Sequence, residues 1–320
     1  MSVYNNEAFL GPAIESILAQ SFTDFEFLIL NDGSTDGSRA IIDAHAARDS
    51  RIRPIHRENR GLVASLNELV AKSRAPLIAR MDGDDIALPE RFARQKEFLD
   101  AHPDYGVVGC FTQAMDERGE PQPWRNVDYP TDHAAFAAAI GKGPLLCHPS
   151  VLMRREAVTA VGGYHAAFRH CEDLDLWLRL STVTRMCSIP ERLIRYRYSD
   201  QQVSSRHVVP QAINAAVSLL AHELRQQGLP DPTEHLDALP EIGGFDALFG
   251  RPGVDQALLD RMIPTIIDSE SALEGEGLEL IIDYVRKGGR CAGLPRTVLR
   301  LVRMGKPVGA LRLALALVSG

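Results

Sequence analysis

Glu26-Phe27-Leu28-Ile29-Leu30 runs directly into Asn31-Asp32-Gly33-Ser34-Thr35-Asp36-Gly37-Ser38. The apolar run reads as a buried strand, and the polar, glycine-bearing stretch as the loop at its carboxyl end. Helical spacing follows at once, with Ile41, Ile42 and Ala46 within residues 38–48. The same order recurs downstream. Pro76-Leu77-Ile78-Ala79-Arg80-Met81 reads as a strand, Asp82-Gly83-Asp84-Asp85 as its loop, and residues 90–99 as the next helix, with Pro89 near its start. Two further amphipathic stretches are residues 13–20, carrying Ile14, Ile17 and Leu18, and residues 62–72, carrying Leu62, Leu66, Leu69 and Val70. A third strand is expected at residues 106–111. Buried strands alternating with helices predict an α/β fold, with a mostly parallel central sheet flanked by helices on both faces. In such folds ligands bind beyond the carboxyl ends of the strands, which is where both polar loops fall.

Later segments extend the pattern. Cys147-His148-Pro149-Ser150 precedes the apolar Val151-Leu152-Met153, again a polar loop beside a strand. Residues 172–180 read as a helix with Leu174, Trp177 and Leu178 on one face. Its acids lie in the first turn, where the helix dipole favours anions. Composition shifts near residue 205. From 208 to 280 the pattern is helical, broken at Gly228-Leu229-Pro230 and Phe249-Gly250-Arg251-Pro252. The expected division is therefore residues 1–207 and a helical region, 208–320, that carries no readable motif.

The 320 residues hold 35 Lys+Arg against 42 Asp+Glu, a formal charge of −7, and 45% are apolar. That apolar content is enough for a real core. The acidic balance argues against nucleic acid as a partner, since that needs a basic surface. The longest apolar stretch, residues 310–318, is interrupted by Arg312 and falls short of the roughly 18 residues a spanning helix needs. Asn5 and Glu7 come too early for a secretory signal. Five scattered cysteines without a CxxC pair point to free thiols in a reducing compartment, so a cytoplasmic location is expected.

Asp82 and Asp84, separated by one small residue at a strand end, can hold a hard divalent cation such as Mg²⁺. Gly83 lets the ligand approach the backbone closely, and such a metal neutralises charge on a diphosphate. The plainer alternative is an acidic turn that caps the following helix. Asp32 can accept hydrogen bonds from a nucleobase or ribose, or can belong to an ordinary turn. Asp173, near a helix start, is a candidate general base or a capping acid. His148, His165 and His170 have no partner at metal-ligand spacing and read as structural or surface histidines.

Taken in order, Val3-Tyr4-Asn5-Asn6-Glu7, Asn31-Asp32-Gly33-Ser34-Thr35-Asp36, Asn59-Arg60-Gly61 with Asn67, Asp82-Gly83-Asp84-Asp85 and Glu172-Asp173 resemble family 2 glycosyltransferases of the GT-A fold, over residues 1–205. The resemblance implies a nucleoside-diphosphate sugar as donor (a UDP-sugar first), a divalent metal (Mg²⁺ or Mn²⁺), and transfer with inversion at the anomeric carbon. By position, Val3, Tyr4 and Glu7 would line the nucleoside pocket, Asp32 would bond the base, and Arg60 would join the same pocket. Asp82 would face the ribose and sugar, Asp84 would ligate the metal, and Asp173 would be the catalytic base. Glu172 and the segment from His148-Pro149-Ser150 to Gly162-Gly163-Tyr164 would lie on the acceptor side.

Three departures from the family pattern stand out. Only Met1 and Ser2 precede Val3, where relatives have a complete apolar first strand, so the expectation is a late or trimmed start. Tyr198 stands where many relatives carry a histidine after Tyr-Arg. No Gln-x-x-Arg-Trp sequence occurs, which favours transfer of one sugar over processive polymerisation. The eight basic residues from Arg286 to Arg312 are interleaved with Leu, Val and Met, with no acid after Asp283. Such a segment suits an anionic membrane surface and a glycan or lipid-linked acceptor, or else a solvated helical face or dimer contact. The rival readings are a nucleotidyltransferase, which would show a Gly- and basic-rich loop after its first strand, and a non-catalytic nucleotide-sugar-binding protein. No G-x-G-x-x-G follows an early strand to support a dinucleotide-binding oxidoreductase.

Overall fold

In the computed structural model, residues 1–199 and 207–319 are described. They form two compact units. The first comprises Met1–His165 and Leu176–Ser199, and the second Ala166–Asp175 together with the described part of Asp200–Gly320. The boundary expected at 207/208 adjoins residues 200–206, which lie outside the described residues.

The first unit opens with a parallel three-stranded sheet: β1 (Ser2–Val3), β2 (Phe27–Asp32) and β3 (Ile52–Arg57), in that spatial order. Every β2 residue is buried, as expected of an apolar run covered on both faces. The crossovers are α1 (Glu7–Leu18) and α2 (Ser38–Ala46), and α3 (Leu62–Lys72) follows β3. Leu10, Ile14 and Ile17 of α1 recur at helical spacing and are fully or almost fully buried with Ile29 of β2 and Ile42 of α2. Each such side chain contributes about 1.5–3 kcal/mol through burial.

The second sheet has five strands in the order β4 (Leu77–Ala79), β7 (Leu152–Arg154), β6 (Tyr105–Met115), β8 (Arg185–Arg197) and β5 (Ile86–Ala87). Only β6 and β8 run parallel; the other pairings are antiparallel. The parallel arrangement is thus concentrated in the first sheet, and the second is mixed. Helices α4 (Arg91–Ala101), α5 (His133–Ala139) and α6 (Arg155–Ala160) complete this unit, and α7 (Glu172–Leu180) begins in the second unit and ends in the first.

The rest of the second unit is helical: α8 (Val208–Gln226), α9 (Phe245–Leu248), α10 (Val254–Asp268), α11 (Glu270–Glu274), α12 (Glu276–Arg286), α13 (Leu294–Arg303) and α14 (Pro307–Ser319). Its core gathers Ile263, Ile266, Ile281, Ile282, Leu301 and Leu313. No helix among the described residues is long and apolar enough to cross a membrane.

Candidate active site

The site is built from loops at the carboxyl ends of β1, β2, β3 and β4. The loop after β1 and the loop after β2 are laced together by their own polar groups. Asn5 accepts the Thr35 N–H at 2.8 Å, Ser34 Oγ accepts the Asn5 N–H at 3.0 Å, and Ser38 Oγ accepts the Asn6 N–H at 3.0 Å. Glu7 and Asp36 cap reciprocally: Glu7 Oε2 accepts the Gly37 N–H at 2.5 Å and Asp36 Oδ2 accepts the Glu7 N–H at 3.0 Å. Burial pulls the Asp36 carboxyl up, but the Glu7 N–H and the Ser38 hydroxyl and N–H outweigh it and hold it below its usual range. Val3 is buried beside Asn31 in the β1–β2 register, and Tyr4 projects into solvent.

Asp32 ends β2 almost wholly buried, and both of its oxygens are committed. Oδ1 accepts the Arg60 N–H and Oδ2 the Gly61 N–H, each at 2.9 Å. Arg57 Nη1 lies 2.6 Å from Oδ1, and Arg57 is its direct partner in the β2–β3 register. The side chain expected to read a base therefore first organises the loop after β3. Gly33 makes the same approach possible: at φ 74° it sits where a Cβ would lie 2.6 Å from the Asn59 backbone nitrogen. The Arg60 side chain is exposed and forms no ion pair among the described residues.

Beyond β4, one oxygen from each of Asp82, Asp84 and Asp85 lies within 4.8 Å of the others. Arg80, buried and two residues upstream, is ion-paired with Asp82. Burial, followed by the Asp82 carboxylate, pushes the Asp84 carboxyl up to about 6. Burial, followed by Asp84 and Asp82, raises Asp85 well above the usual carboxylate range. Asp85 Oδ1 accepts the Arg197 N–H at 2.8 Å, while Oδ2 is buried with no hydrogen-bond partner among the described residues. Arg197 ties this corner down, donating to the carbonyls of Asp84, Asp116 and Glu117 and covering the Phe9 ring at 4.4 Å. Three hard oxygens with like-charge strain and one unsatisfied buried atom fit a divalent cation. Gly83 joins the cluster to the β1 loop, since a Cβ there would lie 2.7 Å from Asn6 Nδ2.

His148 is buried, its ring nitrogen 2.8 Å from the Tyr164 hydroxyl. Burial, then Arg80, pushes its pKa well below the usual value, so it is neutral at pH 7. Asn67 clamps the Tyr164 backbone by accepting its N–H and donating to its carbonyl, at 2.8 and 2.7 Å. Tyr198 lies under the Arg125 guanidinium, 5.1 Å from its ring centre. Glu172 and Asp173 open α7 in the second unit, whereas the other predicted site residues belong to the first. There Asp173 Oδ1 accepts the Leu174 N–H at 2.8 Å, and Asp173 heads the charges that, after burial, raise the Cys171 thiol.

Sequence reasoning gave Arg80, Arg57, Asp85 and Arg197 no role. Arg80 was within reach as a cation two residues before Asp82 in sequence. The Arg57–Asp32 pair arises only from strand register.

With this geometry in place, comparison with known proteins places the chain. The family model for glycosyl transferase family 2 matches residues 1–162, and the chain belongs to that family. A Bacillus subtilis protein assigned by name as a glycosyltransferase, EpsE, is 34% identical over 250 residues, 77% of this chain and 87% of that one. The O-antigen biosynthesis glycosyltransferase WbnJ of Escherichia coli is 29% identical over 201 residues, 62% of this chain and 77% of that one. Two solved structures share the fold. The mannosyltransferase PcManGT from Pyrobaculum calidifontis, in complex with GDP-Man and Mn²⁺, aligns with a TM-score of 0.54 at 15% identity over 99% of this chain and 85% of that one. S. aureus TarS 1–349 with UDP-GlcNAc gives 0.58 at 13% identity over 99% and 89%. The fold is GT-A, and the chain is a glycosyltransferase with relatives in polysaccharide biosynthesis.

Proposed function

We propose that residues 1–207 form an inverting, metal-dependent, non-processive glycosyltransferase domain. It moves one sugar from a UDP-sugar to a hydroxyl of a glycan or lipid-linked acceptor in cell-envelope or exopolysaccharide synthesis. The observation that carries this reading is the Asp82, Asp84 and Asp85 cluster with its unsatisfied buried oxygen. The Mn²⁺ and nucleotide sugars bound by the two solved relatives support it.

In this reading Val3, Tyr4, Glu7 and Arg60 receive the nucleoside, with Asp32 holding the Arg60-Gly61 loop beneath the base. Asp82 faces the ribose and sugar, fixed in direction by Arg80, and Asp84 is the metal ligand, with Asp85 behind it. Mg²⁺ or Mn²⁺, when bound, neutralises charge on the diphosphate. Asp173 takes the proton of the acceptor hydroxyl as its oxygen bonds to the anomeric carbon. The bond to the diphosphate breaks on the opposite face, and the nucleoside diphosphate leaves. Glu172 and neutral His148 lie on the acceptor side. The enzyme works in the cytoplasm, where its free thiols stay reduced, with its basic segment, residues 286–312, against the membrane that presents the acceptor.

A thermal-shift panel of nucleoside diphosphates and nucleotide sugars, with and without Mn²⁺, tests the donor assignment. The expected result is a metal-dependent shift with uridine nucleotides. A shift with guanosine or thymidine nucleotides alone would reassign the base. Binding without release of nucleoside diphosphate in the presence of metal would make the chain a nucleotide-sugar binder.

A further inference from the structure

The last two helices are apolar on the wrong side. In α14, Ala310, Leu313 and Ala316 face inward and join the core of the second unit. Val308, Leu311, Leu315 and Val318 recur at intervals of three, four and three residues and face solvent, with Leu311 60% and Val318 88% exposed. A helix apolar on both faces needs a second apolar environment, and this one has water. On α13, which packs against α14, Leu299 and Val302 are likewise exposed.

The charges of residues 286–312 divide into two sets. Arg300, Lys306 and Arg312 are paired with Glu270, Glu274 and Glu279, and Arg286 with Asp283. Lys287, Arg290, Arg296 and Arg303 are exposed and form no ion pair among the described residues. Arg296, Leu299 and Arg303 are three and four residues apart, so one face of α13 presents an apolar side chain between two uncompensated cations.

We propose that α13 and α14 dock this chain on an anionic lipid bilayer. The stripe Val308, Leu311, Leu315 and Val318, with Leu299 and Val302, enters the acyl boundary. Arg296, Arg303, Lys287 and Arg290 meet lipid phosphates. Apolar side chains bordered by uncompensated cations match a headgroup layer in both depth and charge. A second copy meeting this face about a two-fold axis would bring two sets of four uncompensated cations into one interface, which disfavours a dimer. This surface rests on the reading that the acceptor is offered at a membrane, and it narrows the basic segment to an insertion stripe and four cations.

Co-sedimentation with vesicles of phosphatidylcholine alone, and of phosphatidylcholine mixed with phosphatidylglycerol, tests it on the full chain. The chain should sediment with the mixed vesicles and stay in solution with the neutral ones. Arg296→Gln with Arg303→Gln, both at exposed positions, should lower partitioning about thirtyfold. Val308→Asp with Leu311→Asp should lower it by at least about tenfold. Val308 lies in the first turn of α14, where the dipole favours an acid, and Leu311 is exposed, so both substitutions should leave the fold intact, which circular dichroism checks. Equal binding to both vesicles, or wild-type binding by either double variant, overturns the docking surface. A dimer in sedimentation velocity that Val308→Asp with Leu311→Asp dissolves overturns it in favour of self-association. Nucleotide thermal shifts on the same samples separate the two readings: vesicle binding lost with the shifts intact defeats the docking surface alone. Vesicle binding kept with no shift defeats the donor assignment alone.

Discussion

Asp85 accepts the backbone N–H of Arg197 at 2.8 Å through Oδ1, while its other oxygen is buried without a donor among the described residues. One half of the carboxylate is thus structural, and the other half faces a shortage of positive charge. Arg80 compensates Asp82, and Asp84 and Asp85 carry the remaining like-charge strain. Asp85→Asn removes one charge while keeping an acceptor for the Arg197 N–H. It should raise the melting temperature of the metal-free protein and weaken Mn²⁺ binding. A stability scan paired with metal titration shows both, and unchanged metal affinity would separate Asp85 from the site.

Asp32 predicts a large stability effect. Removing it as Asp32→Ala leaves the largely buried Arg57 with Glu68 as its one carboxylate partner among the described residues and frees the Arg60 and Gly61 amides. The cost should be about 2–3 kcal/mol, from two lost charge-assisted hydrogen bonds and one of the two carboxylates facing Arg57. Urea unfolding measures it. A loss well under about 1 kcal/mol would mean that the loop after β3 does not depend on this carboxylate.

Two glycines should respond differently. Gly33→Ala forces a Cβ to within 2.6 Å of the Asn59 backbone at φ 74°, so it should destabilise by about 2 kcal/mol or more. Gly83→Ala crowds the end of the Asn6 side chain at 2.7 Å, which can rotate away, and reaches Leu10 Cδ1 at an ordinary 3.4 Å. That variant should fold normally and show an altered donor KM, because it displaces the Asn6 side chain that lies beside Gly83 in the acid loop. Thermal melts and donor titrations distinguish the two.

Glu26 sets an acid limit on stability. Burial alone would raise its carboxyl, but hydrogen bonds from Arg74 and Arg53 outweigh this and hold it at about 2. A carboxyl with a depressed folded-state pKa adds stability above its unfolded value near 4.5 and loses it as pH falls toward 2. Glu26→Gln should therefore be less stable than wild type at neutral pH, and the gap should close through that window. A gap that stays constant with pH would exclude the linkage.

Asp173→Asn should keep the fold and nucleotide binding and lose transfer by about 10²–10⁴-fold, the usual contribution of a general base. A donor-saturated assay beside a nucleotide titration reads both. Unchanged turnover would remove Asp173 from the chemistry.

The sequence revealed those parts of the fold where an apolar run met a glycine or acidic turn. The full extent of α3 was read directly; β2 was read as 26–30 but runs on through Asn31 and Asp32, and the acid loop does follow β4, which ends at Ala79 rather than at Met81. β3 and β8 escaped because charged residues interrupt them: Arg53, His56 and Arg57 in one, and Arg185, Glu191, Arg192, Arg195 and Arg197 in the other. Missing β3 hid the Asp32–Arg57 pair, since only strand register brings those residues together. Missing β8 hid Arg197, whose backbone holds Asp85. The residues of the site could be read locally, but the groups that aim them come from strands far away in sequence.

We propose that Asp84 and its neighbours hold a divalent ion against the donor diphosphate. Calorimetric titration of UDP into the wild-type chain and Asp84→Asn, each with and without Mn²⁺, decides whether they do. Wild type should bind UDP at least about tenfold more tightly with Mn²⁺, a difference of about 1.4 kcal/mol, and Asp84→Asn should show no such gain. If Asp84→Asn keeps the full metal-dependent gain, the ion is held elsewhere and the account of this site is wrong.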